Sequence, residues 1–239
     1  MKHNKYTTKD WNAHPDIEIC PADIYNKYLE YKTDGFFVEF GMGGTLPPNA
    51  SNTGDMADIG WSGLYFEPHP TNVIEGLRRH AGNIPRVKII AAGVGDINEI
   101  LCLFPGDTFR EDMNKHYDSL GWLNYCNIHG TNYKNQYGRP ECQILNVNEA
   151  LKKYDCPSRF DLLSIDVEGY ELKIIKTLDF SKYRPKLIVA ELRSIHPYFP
   201  TEMQAEGVEF TDIITAKGYI MIHRDRANTW FLDPPRALE

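Results

Sequence analysis

The chain has 239 residues, a formal net charge of −7, and 42% hydrophobic and 25% charged residues. That length suits one large domain or one domain with an insertion, and either can bury a full core. The acidic balance argues against general nucleic-acid binding, and no run approaches the roughly 18 apolar residues of a membrane span. The N-terminal stretch MKHNKYTTKDWNAHPD lacks the apolar centre of a secretory signal. Cys20, Cys102, Cys126, Cys142 and Cys156 are odd in number, widely spaced and without a C-x-x-C pair. They read as reduced thiols, so a cytoplasmic protein is expected, with neither a disulfide framework nor a zinc site.

In chain order, residues 1–20 are polar and aperiodic and read as a loose arm. Ile24, Tyr25, Tyr28 and Leu29 fall at helical spacing behind Pro21, which predicts a helix over 22–31. Together these make an N-terminal unit of residues 1–34. After the turn Thr33-Asp34-Gly35 comes the run Phe36-Phe37-Val38-Glu39-Phe40, which reads as a fully buried strand. It breaks into Gly41-Met42-Gly43-Gly44, residues that allow close backbone approach. The next residues, 45–50, are too rich in proline for a helix. Ser51 or Asn52 is expected to cap a helix that runs to Ile59, with Asp55 favouring its dipole.

A second strand, 63–68, ends in Glu67-Pro68. A helix over 71–80, a strand over 87–92 and a turn at Gly93-Val94-Gly95-Asp96 follow. This β-α-β-α-β succession with short connections predicts a parallel sheet wound with helices. Residues 100–104 are a further strand candidate. From about 105 to 140 periodicity is lost and aromatics accumulate, which reads as an insertion or lid. A strand over 142–147 and a helix over 147–154 come next. A core strand over 160–165 runs into Asp166-Val167-Glu168-Gly169, followed by a helix over 170–178. A strand over 186–190 ends in Glu191, and the loop after it carries His196. A helix over 209–217 and two strands, 219–223 and 229–232, close the chain as a hairpin.

The chemistry-bearing residues collect at strand ends. Glu39, two residues before Gly41, suits a ligand with a cationic group and hydroxyls, and Glu67 at the next strand's end suits a ribose. Adjacent parallel strands tipped in this way flank the crevice where open α/β sheets bind ligands. A dinucleotide fingerprint needs glycine or alanine at position 46 and a helix N-terminus against the pyrophosphate. Position 46 is Leu46 with Pro47-Pro48 after it, which disfavours an NAD-dependent oxidoreductase. S-adenosylmethionine has no phosphate and fits better. Ala92, with Gly93 and Gly95 beyond it, would let a flat base approach. Asp166, Glu168 and Glu191 are candidate carboxylates for the reaction side, as a general base or as ligands for Mg2+. His196 is the histidine best placed to take a proton.

These stretches resemble the FkbM family of S-adenosylmethionine-dependent methyltransferases, from about Gly35 to Asp233. The most specific are Phe37-Val38-Glu39-Phe40-Gly41, the segment Gly60 to Pro70, and Asp161 to Glu171 with its I-D-V-E-G signature. The resemblance implies a class I methyltransferase, Rossmann-like fold: a doubly wound, mostly parallel seven-stranded sheet whose last strand is antiparallel. The hairpin at the chain's end fits that topology. It implies a methyltransferase domain over 35–239, with Glu39, Gly41, Gly43, Glu67, Pro68, Ala92 and Asp166 lining the cofactor. Asp166, Glu168, Glu191 and His196 then stand near the transferred methyl, and Asp166 and Glu191 where related sugar methyltransferases hold a metal. The expected reaction is O-methylation of a sugar, glycan or natural-product hydroxyl. The rival reading is a non-catalytic glycan- or partner-binding module on the same fold.

Overall fold

The computed structural model describes residues 21–43, 51–102, 141–167, 169–192, 201–224 and 228–234. The expected N-terminal arm, the 105–140 insertion, Glu168 and His196 lie outside these residues. So do Leu46 and the prolines beside it.

Seven strands form the main sheet: β1 (Phe36–Phe40), β2 (Ser62–Phe66), β3 (Val87–Ile90), β7 (Arg159–Ile165), β8 (Arg184–Glu191), β9 (Ile220–Arg224) and β10 (Asn228–Leu232). Their order is β3-β2-β1-β7-β8-β10-β9. The first five are parallel, and β10 enters antiparallel between β8 and β9. This is the predicted doubly wound α/β sheet with its reversed last strand. The central strands are mostly hydrophobic because both faces are covered, as parallel sheets require.

Alternation along each strand divides the core in two. Val38, Phe40, Leu163, Ile165, Ile188 and Ala190 face one side, with α4 (Val147–Lys153), α5 (Glu171–Thr177) and α6 (Thr201–Ala216) packed over them. Phe37, Tyr65, Leu162, Leu187, Val189 and Trp230 face the other. Ile24, Tyr25 and Leu29 of α1 (Pro21–Leu29) and Met56 and Ala57 of α2 (Gly54–Ile59) cover that side. The helix after β2, α3, spans Pro70–Arg79 with proline at its first position, where no hydrogen bond is lost.

Several boundaries differ from expectation. The first helix ends at Leu29 because Glu30 and Tyr31 take positive φ values of 55° and 56°. The helix before β9 begins at Thr201. Gly93–Gly95 is a strand and not a turn: β4 pairs with β6 (Glu141–Asn146), which also pairs with β5 (Glu99–Cys102) in a separate three-stranded sheet. Three residues are too few to show a periodicity, and β6, the strand that pairs with them, lies some 50 residues later. Neither Ser51 nor Asn52 caps α2. Thr53 sits at that position without a side-chain cap, because all three side chains bond elsewhere.

The C-terminal hairpin is tied to the sheet by a partly buried ion pair. Arg184 donates through Nε to Asp233 Oδ2 at 2.9 Å and through a second nitrogen to Oδ1, with the pair's side chains only 12% and 13% exposed. The guanidinium also lies 4.6 Å from the Tyr219 ring centre and donates to the Lys217 carbonyl. Asp233→Ala would leave this cation largely desolvated and unpaired, so a loss of about 2 kcal/mol in urea unfolding is expected. A change below about 0.5 kcal/mol would mean that the pair is solvated in solution.

Candidate functional site

Strand register brings the site together. Ile90, Phe66, Phe40, Ile165 and Ala190 are directly paired across β3, β2, β1, β7 and β8. One residue further along, Glu67, Gly41, Asp166 and Glu191 therefore stand in a row at the C-terminal ends of adjacent strands. Backbone bonds continue past the strand ends: Gly41 N–H to Phe66 O, Asp166 N–H to Phe40 O, and Glu67 N–H to Ile90 O, at 2.9–3.0 Å. Four of the predicted site residues thus lie together at the sheet's crevice.

Gly41 has φ +80°, and a Cβ there would stand 1.7 Å from the Asp166 carbonyl oxygen. The first glycine is needed by the approach of β1 to β7. Gly43 also has a positive φ, 61°. Its N–H donates to Glu67 Oε2 at 2.8 Å, while Glu67 Oε1 accepts the N–H of His69 at 2.7 Å. Glu67 is buried, and these bonds fix both of its oxygens beside the glycine turn. Met42, between the glycines, is fully buried against α3, where a Cβ on Gly76 would meet its terminal methyl at 2.5 Å.

Glu39 differs from expectation. It lies inside β1, two residues before Gly41, points to the face of Phe37 and Tyr65, and is fully buried. Its Oε1 accepts Asn52 N–H at 2.7 Å; its Oε2 accepts the Ser51 hydroxyl at 2.7 Å and the Thr53 hydroxyl. The Thr53 hydroxyl also reaches the Tyr65 hydroxyl at 3.1 Å, and Asn52 Nδ2 donates to the Ser164 hydroxyl at 3.2 Å. The acid offers a ligand's ammonium no exposed surface. Burial raises its pKa from the ordinary 4.5 to about 7, against the opposing pull of the Thr53, Ser51 and Asn52 bonds.

On the reaction side, β7 stops at Ile165, so strand alternation does not carry through Asp166 to Glu168. The chain bends at Val167, and Gly169 takes φ 106°. The bend is held by Glu171, the first residue of α5, whose Oε1 accepts both Val167 N–H and Gly169 N–H at 3.0 Å. Sequence reading gave Glu171 no site role; a Glu two residues after Gly169, at the start of a helix, was the available signal. Glu191 lines a small open cleft of about 20 Å³ between the start of α5 and α6, with Glu171, Leu172, Glu206 and Phe210. Among the described residues, no group of three or more His, Cys, Asp and Glu converges as metal ligands.

Ala92 is 2% exposed, just beyond the end of β3. Gly95 does not leave room for a base, because a Cβ there would meet Ile144 at 2.9 Å and the Tyr170 ring at 3.1 Å. Its missing side chain accommodates the packing of the small sheet against α5. Cys142 and Cys156 are free thiols, and no helix among the described residues is long and apolar enough to cross a membrane.

The chain matches the model of the methyltransferase FkbM domain over residues 39–221. No curated protein matches it. Among solved structures it is similar to a methyltransferase FkbM from Methylobacillus flagellatus, at 12% identity and TM-score 0.49, covering 83% of this chain and 44% of that one. This chain thus spans less than half of that protein's length. It is also similar to a precorrin-6y C5,15-methyltransferase from Geobacter metallireducens, at 11% identity and TM-score 0.47, covering 97% and 94%. The METTL16 methyltransferase domain aligns at 11% identity and TM-score 0.48, covering 90% and 67%.

Proposed function

Since the chain belongs to the FkbM methyltransferase family, we propose that it is an S-adenosylmethionine-dependent O-methyltransferase acting on a hydroxyl of a sugar, glycan or natural product. The observation that carries this reading is the in-register row of Glu67, Gly41, Asp166 and Glu191. In this reading Glu67 would accept the ribose and Asp166 would stand on the reaction side, with the glycine turn between them.

The residues present fit the cofactor. Glu67, fixed beside the glycine turn by the Gly43 and His69 amides, would meet the ribose, and Gly41, Gly43, Pro68 and Ala92 would line the rest of the cofactor site. When bound, S-adenosylmethionine supplies a methyl group on a sulfonium, and a displacement by the acceptor oxygen leaves S-adenosylhomocysteine. Asp166 and Glu191 orient the acceptor hydroxyl, and one of them, or His196, takes its proton. Glu168 belongs to the same segment and stands with this group by sequence. Much of the acceleration would come from holding two reactants in line.

The decisive experiment is titration calorimetry with S-adenosylmethionine. Binding is expected, and Glu67→Ala should weaken it by about 1–3 kcal/mol, the cost of lost hydrogen bonds to a charged group. No heat at millimolar cofactor would end the reading. Binding without turnover on any hydroxylated acceptor would favour the binding-module alternative. Asp166 and Glu191 are the pair that would hold Mg2+, with waters and substrate oxygens completing its shell. That role requires turnover to fall in excess chelator and to recover on adding Mg2+.

A further inference from the structure

We infer that Glu39 is a positioning residue that staples the far end of the cofactor loop to the sheet and makes no contact with the cofactor itself. The inference rests on the functional reading above for its consequence, but its geometry stands independently.

The chain leaves β1 after Phe40 and returns to the Glu39 carboxylate 12, 13 and 14 residues beyond it, at Ser51, Asn52 and Thr53. The loop so closed contains the Gly41-Met42-Gly43 turn. Its near end is fastened by Gly41 N–H on Phe66 O, by Gly43 N–H on Glu67, and by Met42 packed on Gly76. Its far end is fastened through Glu39. Three consecutive residues here meet three adjacent strands, because Tyr65, Glu39 and Ser164 are paired across β2, β1 and β7 on one face. Thr53 bonds Tyr65, Asn52 bonds Ser164, and all three residues bond Glu39.

A carboxylate directed at a bound ammonium would need an open face and an unused lone pair in that direction. Glu39 has 0% exposure, and its acceptors are engaged inward. What it contributes is loop closure. Cutting one anchor lets the loop sample more conformations, and binding must then order them again. The loss should therefore appear as weaker cofactor affinity together with local mobility, and not as a lost contact.

The test is hydrogen exchange of the full chain without ligand, paired with calorimetric titration of S-adenosylmethionine, for wild type, Glu39→Ala, Glu39→Gln and the double variant Ser51→Ala/Thr53→Val. Glu39→Ala and the double variant should lose amide protection at residues 51–56 and bind the cofactor roughly tenfold more weakly. Glu39→Gln, which keeps an acceptor oxygen of the same length, should restore both. The double variant keeps its bulk, so it stays informative if Glu39→Ala fails to fold. Unchanged protection at 51–56 in the double variant would overturn the staple. So would loosened exchange with unaltered affinity, or Glu39→Gln binding as weakly as Glu39→Ala. If wild type itself does not bind, the functional reading fails, and the exchange data alone decide the anchoring.

Discussion

Gly41→Ala is expected to cost about 4 kcal/mol in urea unfolding at neutral pH. Two penalties combine. An alanine at φ +80° occupies a strained backbone region, and its Cβ would sit 1.7 Å from the Asp166 carbonyl oxygen. The atom it meets is backbone, so no rotamer change relieves the contact. Asp166 is itself held by its N–H bond to Phe40 O, so β1 and β7 must separate at their ends. That opening would also displace Glu67 relative to Asp166, and cofactor affinity should fall with stability. Gly82→Ala is the control: its Cβ meets nothing within 4 Å, and a change within about 0.5 kcal/mol is expected. A Gly41→Ala variant within 1 kcal/mol of wild type would show that the crevice ends are less tightly joined than this register implies.

The second large effect is in pH dependence. Glu39 has its pKa raised from 4.5 to about 7, chiefly by burial. The folded chain therefore holds this proton more tightly than the unfolded chain does. Its contribution to stability is complete below about pH 4.5, declines as pH rises, and is lost above about pH 7. The span corresponds to about 3 kcal/mol. Wild type alone would not display it cleanly. His80 and His223 are pushed down to about 4 by burial, so their contributions grow as pH rises from about 4 to 6.5 and oppose it. Subtracting the Glu39→Gln curve removes both histidine contributions. The stability of wild type relative to Glu39→Gln should fall by about 3 kcal/mol between pH 4.5 and pH 8, nearly all of it before pH 7.5. A flat difference over that range would mean that the Ser51, Asn52 and Thr53 bonds outweigh burial.

Much of the site was legible because strand ends are legible. Phe36–Phe40 and Arg159–Ile165 are apolar runs broken by glycine, and acids just past such runs, Glu67 and Asp166, fall where α/β sheets bind ligands. Glu39 was misread because sequence shows an acid at a strand's end and not which face it takes. It lies within β1, opposite Tyr65 and Ser164, on the face where the segment 51–53 meets it. Ser51 and Asn52 were misread for the same reason: a hydroxyl and an amide before a helix look like caps until a buried carboxylate competes for them. Glu171 and the β4–β6 pairing depended on partners that local pattern does not identify.

The sequence by itself determined the α/β class and the succession of the main elements along the chain, and its resemblance to the family implied the antiparallel ending. These follow from hydrophobic runs, glycine breaks and the I-D-V-E-G and G-W-x-G-L segments, which are local properties of the chain. Only the tertiary structure decided which acids face the crevice and which are buried. Register set Glu67, Asp166 and Glu191 in one row and turned Glu39 inward. A carboxylate's role depends on what desolvates it and what donates to it, and for Glu39 those donors arrive from 12 to 14 residues further along the chain.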